Sequence, residues 1–220
     1  IWTTTPWTMP GNRAVAYGKD IDYSLIEVTN VGENSLAKIG DKIIIAKELV
    51  EDVMKEISVL SFHSYSTLKG SDFAGTVLAH PLKNYGYEHE VLLLEADFVT
   101  TDQGTGFVHI APGHGADDFE LGRQNNLPIP ETVSDNGILN SDLPLFGGLR
   151  VLKDNEIIAD IMSEHNALIG RGKLNHSYPH SWRSKAPLVF RTTPQWFISM
   201  TTNNIRDTSL KALSQTTFYP

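Results

Sequence analysis

The feature that most limits what this chain can become is a series of short apolar runs. They are rich in Val, Ile, Leu, Phe, Tyr and Thr, and each is cut short by Gly, Asp, Asn or Pro. Residues 13–17, 23–31, 42–46, 59–68, 76–79, 91–99 and 106–111 all fit this description. β-Branched and aromatic residues suit a pleated, half-buried surface, and the punctuating residues supply the turns. Too few helical stretches alternate with these runs for a parallel βαβ sheet. The spacing therefore predicts a mainly β fold, a closed or nearly closed β-barrel with peripheral α-helices.

Three segments carry helical rather than strand periodicity. Ala46, Leu49, Val50, Val53, Met54 and Ile57 recur on one face, with charge between them. Asp154 stands where an N-cap belongs, ahead of Ile157, Ile158, Ile161, Met162 and Leu168, with Gly170 as a stop. A third helix is expected from Ala116 to about Asn125, after the His114-Gly115 turn. Residues 129–148 read as loop, with a tight turn at Asp135-Asn136-Gly137.

Composition removes several function classes. With 220 residues the chain can bury one good core, and its net charge of −8 argues against a broad basic surface for coating nucleic acid. A grip on a short single-stranded end stays compatible with that charge. The absence of cysteine excludes a disulfide framework, thiolate zinc and a cysteine nucleophile. Apolar runs stop at about four residues, so no membrane span is expected, and no signal-peptide pattern opens the sequence. The first methionine is Met9, and Ile1-Trp2 stands in the middle of a motif. The reading is one domain, residues 1–200, from a larger cytoplasmic protein, with residues 201–220 as a lead-out segment.

Two clusters could carry chemistry. In Trp2-Thr3-Thr4-Thr5-Pro6-Trp7-Thr8, hydroxyls crowd together on a backbone stiffened by Pro6 and Pro10, with Asn12 close behind. Such a peptide can offer hydroxyls and backbone groups to a sugar or an ester; the plain alternative is a Thr-rich edge strand. The second runs from Gly104-Thr105-Gly106-Phe107-Val108-His109 to Asp118. Glycines there allow a ligand close to the backbone, and Asp117 and Asp118 fall in a first helical turn that favours carboxylates. One of the two acids can anchor a substrate ammonium, or both can simply complement the helix dipole. His109 and His114, spaced by five, fit no usual zinc pattern. His63, His80, His89, His165, His176 and His180 read as scattered surface or packing residues.

Together, about a hundred residues apart, the two clusters resemble the editing domain of class I aminoacyl-tRNA synthetases for branched aliphatic amino acids. Thr3-Thr4-Thr5-Pro6-Trp7-Thr8 and His109-x-Ala111-Pro112-Gly113-His114-Gly115-x-x-Asp118 are similar to the isoleucyl form. Tyr178 to Arg183 and Thr193 to Phe197 resemble that form too. The resemblance implies hydrolysis of the ester joining valine to the 3′-terminal adenosine of isoleucine tRNA. It implies that Asp118 holds the α-ammonium, while Thr3, Thr4 and Thr5 contact ribose and ester and orient water. By the same resemblance Thr8 and Asn12 support the pocket, and His109 closes it against isoleucine. Phe107 with the Gly104 to Gly106 turn would line the adenosine. No metal or cofactor is implied in this domain; ATP and Mg belong to the parent's synthetic site, whose His-Ile-Gly-His and Lys-Met-Ser-Lys-Ser signatures are absent here. The implied partners are the 3′ end of tRNA(Ile) carrying valine and the rest of the parent enzyme, with no membrane. A metal-dependent hydrolase and a non-catalytic barrel that only binds tRNA or a partner remain the rival readings.

Overall fold

The computed structural model describes residues 1–174 and 177–219. His176, read above as a surface or packing residue, lies outside them. The strands are β1 (Ala14–Tyr17), β2 (Asp22–Val31), β3 (Lys42–Ala46), β4 (Val59–Lys69), β5 (Val77–Ala79), β6 (Glu90–Glu95) and β7 (Phe107–Ile110). Each falls inside or within a residue of an expected run, except that β6 stops at Glu95, short of Val99. The helices are α1 (Val50–Glu56), α2 (Ala116–Gln124), α3 (Asn155–Glu164) and α4 (Ile205–Ser214).

The expected barrel takes the form of two sheets. One has the order β5-β6-β1-β7 and the other β3-β2-β4, and among the described residues no ladder joins them into a ring. Strands of three to six residues build the first sheet, which leaves little ladder for reaching the second. Contact between the sheets is made by side chains and isolated bonds instead. Ala46 N–H donates to Thr105 O at 2.9 Å, and Tyr23 O–H donates to Gly106 O at 2.8 Å. Within the first sheet β1 is parallel to β6 and antiparallel to β7, with Val15 opposite His109.

Three apolar clusters hold the chain together. The first lies between the sheets and includes Tyr17, Tyr23, Ile26, Phe73 and Leu93, with α1 closing it through Val50 and Met54. The expected helical face is present there, although Lys47–Leu49 wind as a tighter 3-10 turn before α1 begins. The second gathers Trp7, Met9, Leu82, Phe146, Ile158 and Met162. The third sets Ala14, Ala16 and Ile110 of the first sheet against Leu121 of α2. Each fully buried large side chain contributes about 1.5–3 kcal/mol by leaving water.

Local differences from expectation have local causes. α3 ends at Glu164 rather than near Gly170, and the chain turns at Asn166 with φ +55°. Asp154 does not cap α3, because its carboxylate is taken by Arg150, whose backbone N–H donates to Oδ2 at 2.8 Å and Nη2 to Oδ1 at 2.8 Å. Ile157 is about half exposed, while Ile158 is fully buried. The 129–148 stretch is irregular but not superficial, since it plants Val133, Leu139 and Phe146 in the second cluster. Its turn forms where expected, with Gly137 N–H donating to Ser134 O. The polar tail contains α4, which has no buried residue.

Candidate functional site

The Thr-rich peptide is not a strand. Trp2 makes one parallel bridge to Val108, and Pro6–Gly11 then wind into a 3-10 helix. Pro6 and Pro10 lack the N–H that a ladder needs, and a proline's fixed φ suits the first helical turn. The helix has two faces. Trp7 and Met9 plug into the second apolar cluster, whereas Thr8 points toward β7. Before it, Thr3 Oγ1 accepts the Thr5 N–H at 3.1 Å, and Thr4 is exposed.

Thr8, Asn12 and His109 form one buried polar chain. Asn12 Nδ2 lies 2.6 Å from His109 Nδ1 and also reaches the carbonyls of Ala14 and Ile110 at 2.9 and 3.4 Å. Two carbonyl neighbours fix which end of the amide is the donor, so His109 Nδ1 must accept. The proton therefore sits on Nε2, which donates to Thr8 Oγ1 at 3.0 Å. Thr8 O–H in turn donates to Thr5 O at 2.7 Å. Burial above all, with His80 and His114 nearby, holds the imidazole down to about 3, so it is neutral near pH 7.

The glycine turn leads into the other end of β7. Gly104 (φ +83°) faces the Trp2 ring, and Gly106 (φ +76°) leaves no room for a side chain, since a Cβ would come within 2.3 Å of the Ala46 Cβ. Phe107 is turned into the first cluster, 4.5 Å from Tyr23 ring to ring. Past β7, Asp118 folds back from the first turn of α2, and its Oδ2 accepts the Ala111 N–H at 2.8 Å. Burial pushes this carboxyl up from its usual value, with Ala111 opposing. Asp117 is exposed, so only one acid of the pair faces inward.

Hydrogen bonds thus join Thr3 to Thr5, then Thr5, Thr8, His109 and Asn12 in series. Asp118 attaches two residues beyond His109 through Ala111. Gly104, Gly106 and Phe107 belong to the turn and the core beside that network. Two open surface hollows of about 480 and 500 Å³ contain none of these residues. Both nitrogens of His109 and His114 are engaged in hydrogen bonds, and among the described residues no three His, Asp or Glu side chains converge as a metal set.

Sequence reasoning passed over a supporting layer. His80 is not scattered but buried and stacked on Tyr87, and its Nε2–H donates to Met9 O at 3.1 Å while Nδ1 accepts from Leu82 N–H. Burial holds it down to about 4. Arg13 Nη1 donates to Asn12 O at 2.5 Å, and His89 Nε2 stands 2.9 Å from the same oxygen. These side chains grip backbone carbonyls of the 3-10 helix and its exit. A carbonyl partner leaves no mark on the sequence, so no local signal could have found them.

No family model matches the chain. It is 47% identical over its whole length to the isoleucine–tRNA ligase of Pelagibacter ubique, and 46% and 45% identical to those of Gluconobacter oxydans and Caulobacter vibrioides. The aligned region is about a quarter of each relative's length. A solved structure described as GlLeuRS-CP1 shares the fold at a TM-score of 0.58, with 14% identity, over 78% of this chain and 83% of that one. Along its whole length this chain is therefore similar to isoleucine–tRNA ligases, and it spans about a quarter of the length of the relatives it matches.

Proposed function

We propose that this chain edits tRNA, hydrolysing the ester between valine and the 3′-terminal adenosine of isoleucine tRNA while sparing isoleucyl-tRNA. A hydrophobic synthetic site gains only about 1–3 kcal/mol from one methylene, a general limit for which isoleucine against valine is itself the usual illustration. A second site that admits only the smaller amino acid removes the error. The observation that carries the reading is the bond between Thr8 and His109, which welds the two motifs into one site beside an inward-facing Asp118.

In this mechanism Asp118 uses the carboxylate oxygen not bound to Ala111 to hold the α-ammonium. A charge-assisted bond of that kind is short and strong where water is scarce. The hydroxyls of Thr3, Thr4 and Thr5 orient ribose, ester and water, so catalysis comes from positioning rather than from a side-chain nucleophile or a metal. His109 is neutral and spends its Nε2 proton on Thr8, which makes it a wall and not a base. The acidic chain meets only the single-stranded tRNA end, and other parts of the longer protein supply most phosphate contacts.

The decisive experiment mixes the full-length protein with valyl-tRNA(Ile) and isoleucyl-tRNA(Ile), with and without EDTA. Fast loss of the first, slow loss of the second and indifference to EDTA are expected. Binding without deacylation would favour the non-catalytic reading, and EDTA-sensitive hydrolysis the metal hydrolase.

A further inference from the structure

His114 has no part in the mechanism above, yet it touches three separate stretches of chain. Its Nδ1 lies 3.0 Å from Phe190 O, and its Nε2 lies 2.6 Å from Thr132 Oγ1. A carbonyl can only accept, so Nδ1 carries the proton and Nε2 accepts from the buried Thr132 hydroxyl. The ring also meets Trp7 edge-on at 5.1 Å, and its Cδ2 approaches Gly11 so closely that a Cβ there would lie 3.1 Å away.

The stretch around Phe190 is tied down on both sides of that bond. Val189 packs against the second apolar cluster, and Arg191 Nη2 reaches the exposed Asp135. Thr192 lies against Gly113, whose absent side chain would otherwise meet Pro130 O at 3.2 Å and Thr192 Oγ1 at 3.5 Å. Residues 189–192 therefore cross the turn 111–115, which carries the Ala111 N–H that orients Asp118. Val189 also packs against the cluster that holds Trp7 and Met9 of the helix carrying Thr8.

We propose that His114 is a positioning residue, pinning the segment 189–192 across this turn so that the segment fixes the geometry of Asp118 and the Thr-rich helix. The proposal rests on the editing function above. It makes residues 189–192 a working wall of the site, so that a pull on the chain beyond Thr192 reaches Asp118 through the turn that His114 and Gly113 hold against the segment. A small misplacement of positioning groups is enough to slow an oriented reaction by one or two orders of magnitude.

The two nitrogens can be tested separately. Asparagine at 114 keeps a donor near the Nδ1 position, whereas glutamine reaches only toward Nε2. In the full-length protein, His114→Asn should keep the Leu188 amide, which donates to Pro179 O at the start of the segment, protected from hydrogen exchange and deacylate valyl-tRNA within about threefold of wild type. His114→Gln should release that amide and lower kcat by about tenfold or more, with KM changed less than about twofold. Equal behaviour of the two variants, or release of the segment with kcat unchanged, would overturn the proposal. Should either variant fold poorly, Asp135→Ala loosens the same segment from an exposed carboxylate, and the same drop in kcat is expected on a smaller scale. A loosened segment with full activity would overturn the proposal there too. An inactive wild type would instead defeat the editing function itself, whereas an active wild type with indifferent variants would remove only the role of His114.

Discussion

Thr8 Oγ1 and His109 Nε2 stand 3.0 Å apart across 101 residues of sequence, and Asn12 completes the chain on the far side of the ring. Every member of this network is buried, so its polar atoms have no water to fall back on. Asn12→Ala would leave His109 Nδ1 without its donor and remove the side-chain bond to Ala14 O, while Ile110 O keeps the Arg13 N–H at 2.9 Å. Stability should fall by about 1–3 kcal/mol in urea unfolding. A change under about 0.5 kcal/mol would mean that the bonds hold nothing.

Asp118 and Asp117 are adjacent in sequence and opposite in environment. Asp118 is bonded to Ala111 and faces inward, while Asp117 is exposed. Asp118→Asn keeps an acceptor for Ala111 but loses the charge that binds an ammonium. Deacylation of valyl-tRNA should drop by at least about tenfold in that variant, with aminoacylation intact. Asp117→Asn should stay within about twofold of wild type. Equal losses in both variants would remove the assignment.

The strands were legible because alternation and turn residues are local signals, and β1 to β7 follow them closely. Sheet partnership was not, since nothing in the strands says that β2 with β3 and β4 form a sheet separate from β1, β6 and β7. The plain strand alternative for the Thr-rich peptide fails for a related reason. Its Thr and Trp residues favour a strand, but Pro6 and Pro10 decide the backbone. In the site, the side-chain partners His109, Thr8 and Asn12 were found through motif resemblance. The bonds that give His80, Arg13 and His114 their places were not legible, because their partners include backbone carbonyls, which leave no mark on the sequence.

Acid should loosen this fold through its buried imidazoles. His109 and His80 are held at about 3 and about 4, against an ordinary 6.5 when unfolded. Between those values the unfolded chain binds protons that the folded one refuses, so stability falls as pH drops below about 6.5. Asp118 acts in the opposite sense, because burial raises its folded pKa. The thermal midpoint should therefore decline from pH 7 toward pH 4, and the decline should be shallower in His80→Gln. An identical slope in the variant would show that His80 is not buried in its neutral form.

Gly106 tests the seam between the sheets. Its φ of +76° is unfavourable for any side chain, and a Cβ would press into Ala46 at 2.3 Å. Neither neighbour can yield easily, because Ala46 N–H is bonded to Thr105 O and Gly106 O receives Tyr23 O–H. Gly106→Ala should cost about 1–3 kcal/mol or more in chemical unfolding. A neutral result would mean that the turn is free to shift.

His109 is expected to act as the obstacle that refuses isoleucine. A favourable pocket cannot exclude a smaller side chain strongly, so a discriminating editing site must instead exclude the larger one. That takes a wall that does not move, since overpacking a fixed wall costs about 1–3 kcal/mol. The imidazole meets this need, because its two nitrogens are held from opposite sides by Thr8 and Asn12 and its strand is bounded by Gly106 and Pro112. To rotate away it would have to break both bonds inside the protein. His109→Ala should enlarge the pocket and allow isoleucyl-tRNA to be hydrolysed, with valyl-tRNA hydrolysis largely retained. Because that variant also strips Thr8 and Asn12 of their partner, His109→Gln serves as a second probe that keeps a polar group between them. Deacylation of both charged tRNAs is measured at matched concentrations for wild type and the two variants. If isoleucyl-tRNA is still spared by His109→Ala, or if both activities fall together in both variants, His109 holds the peptide in place and something else does the sieving.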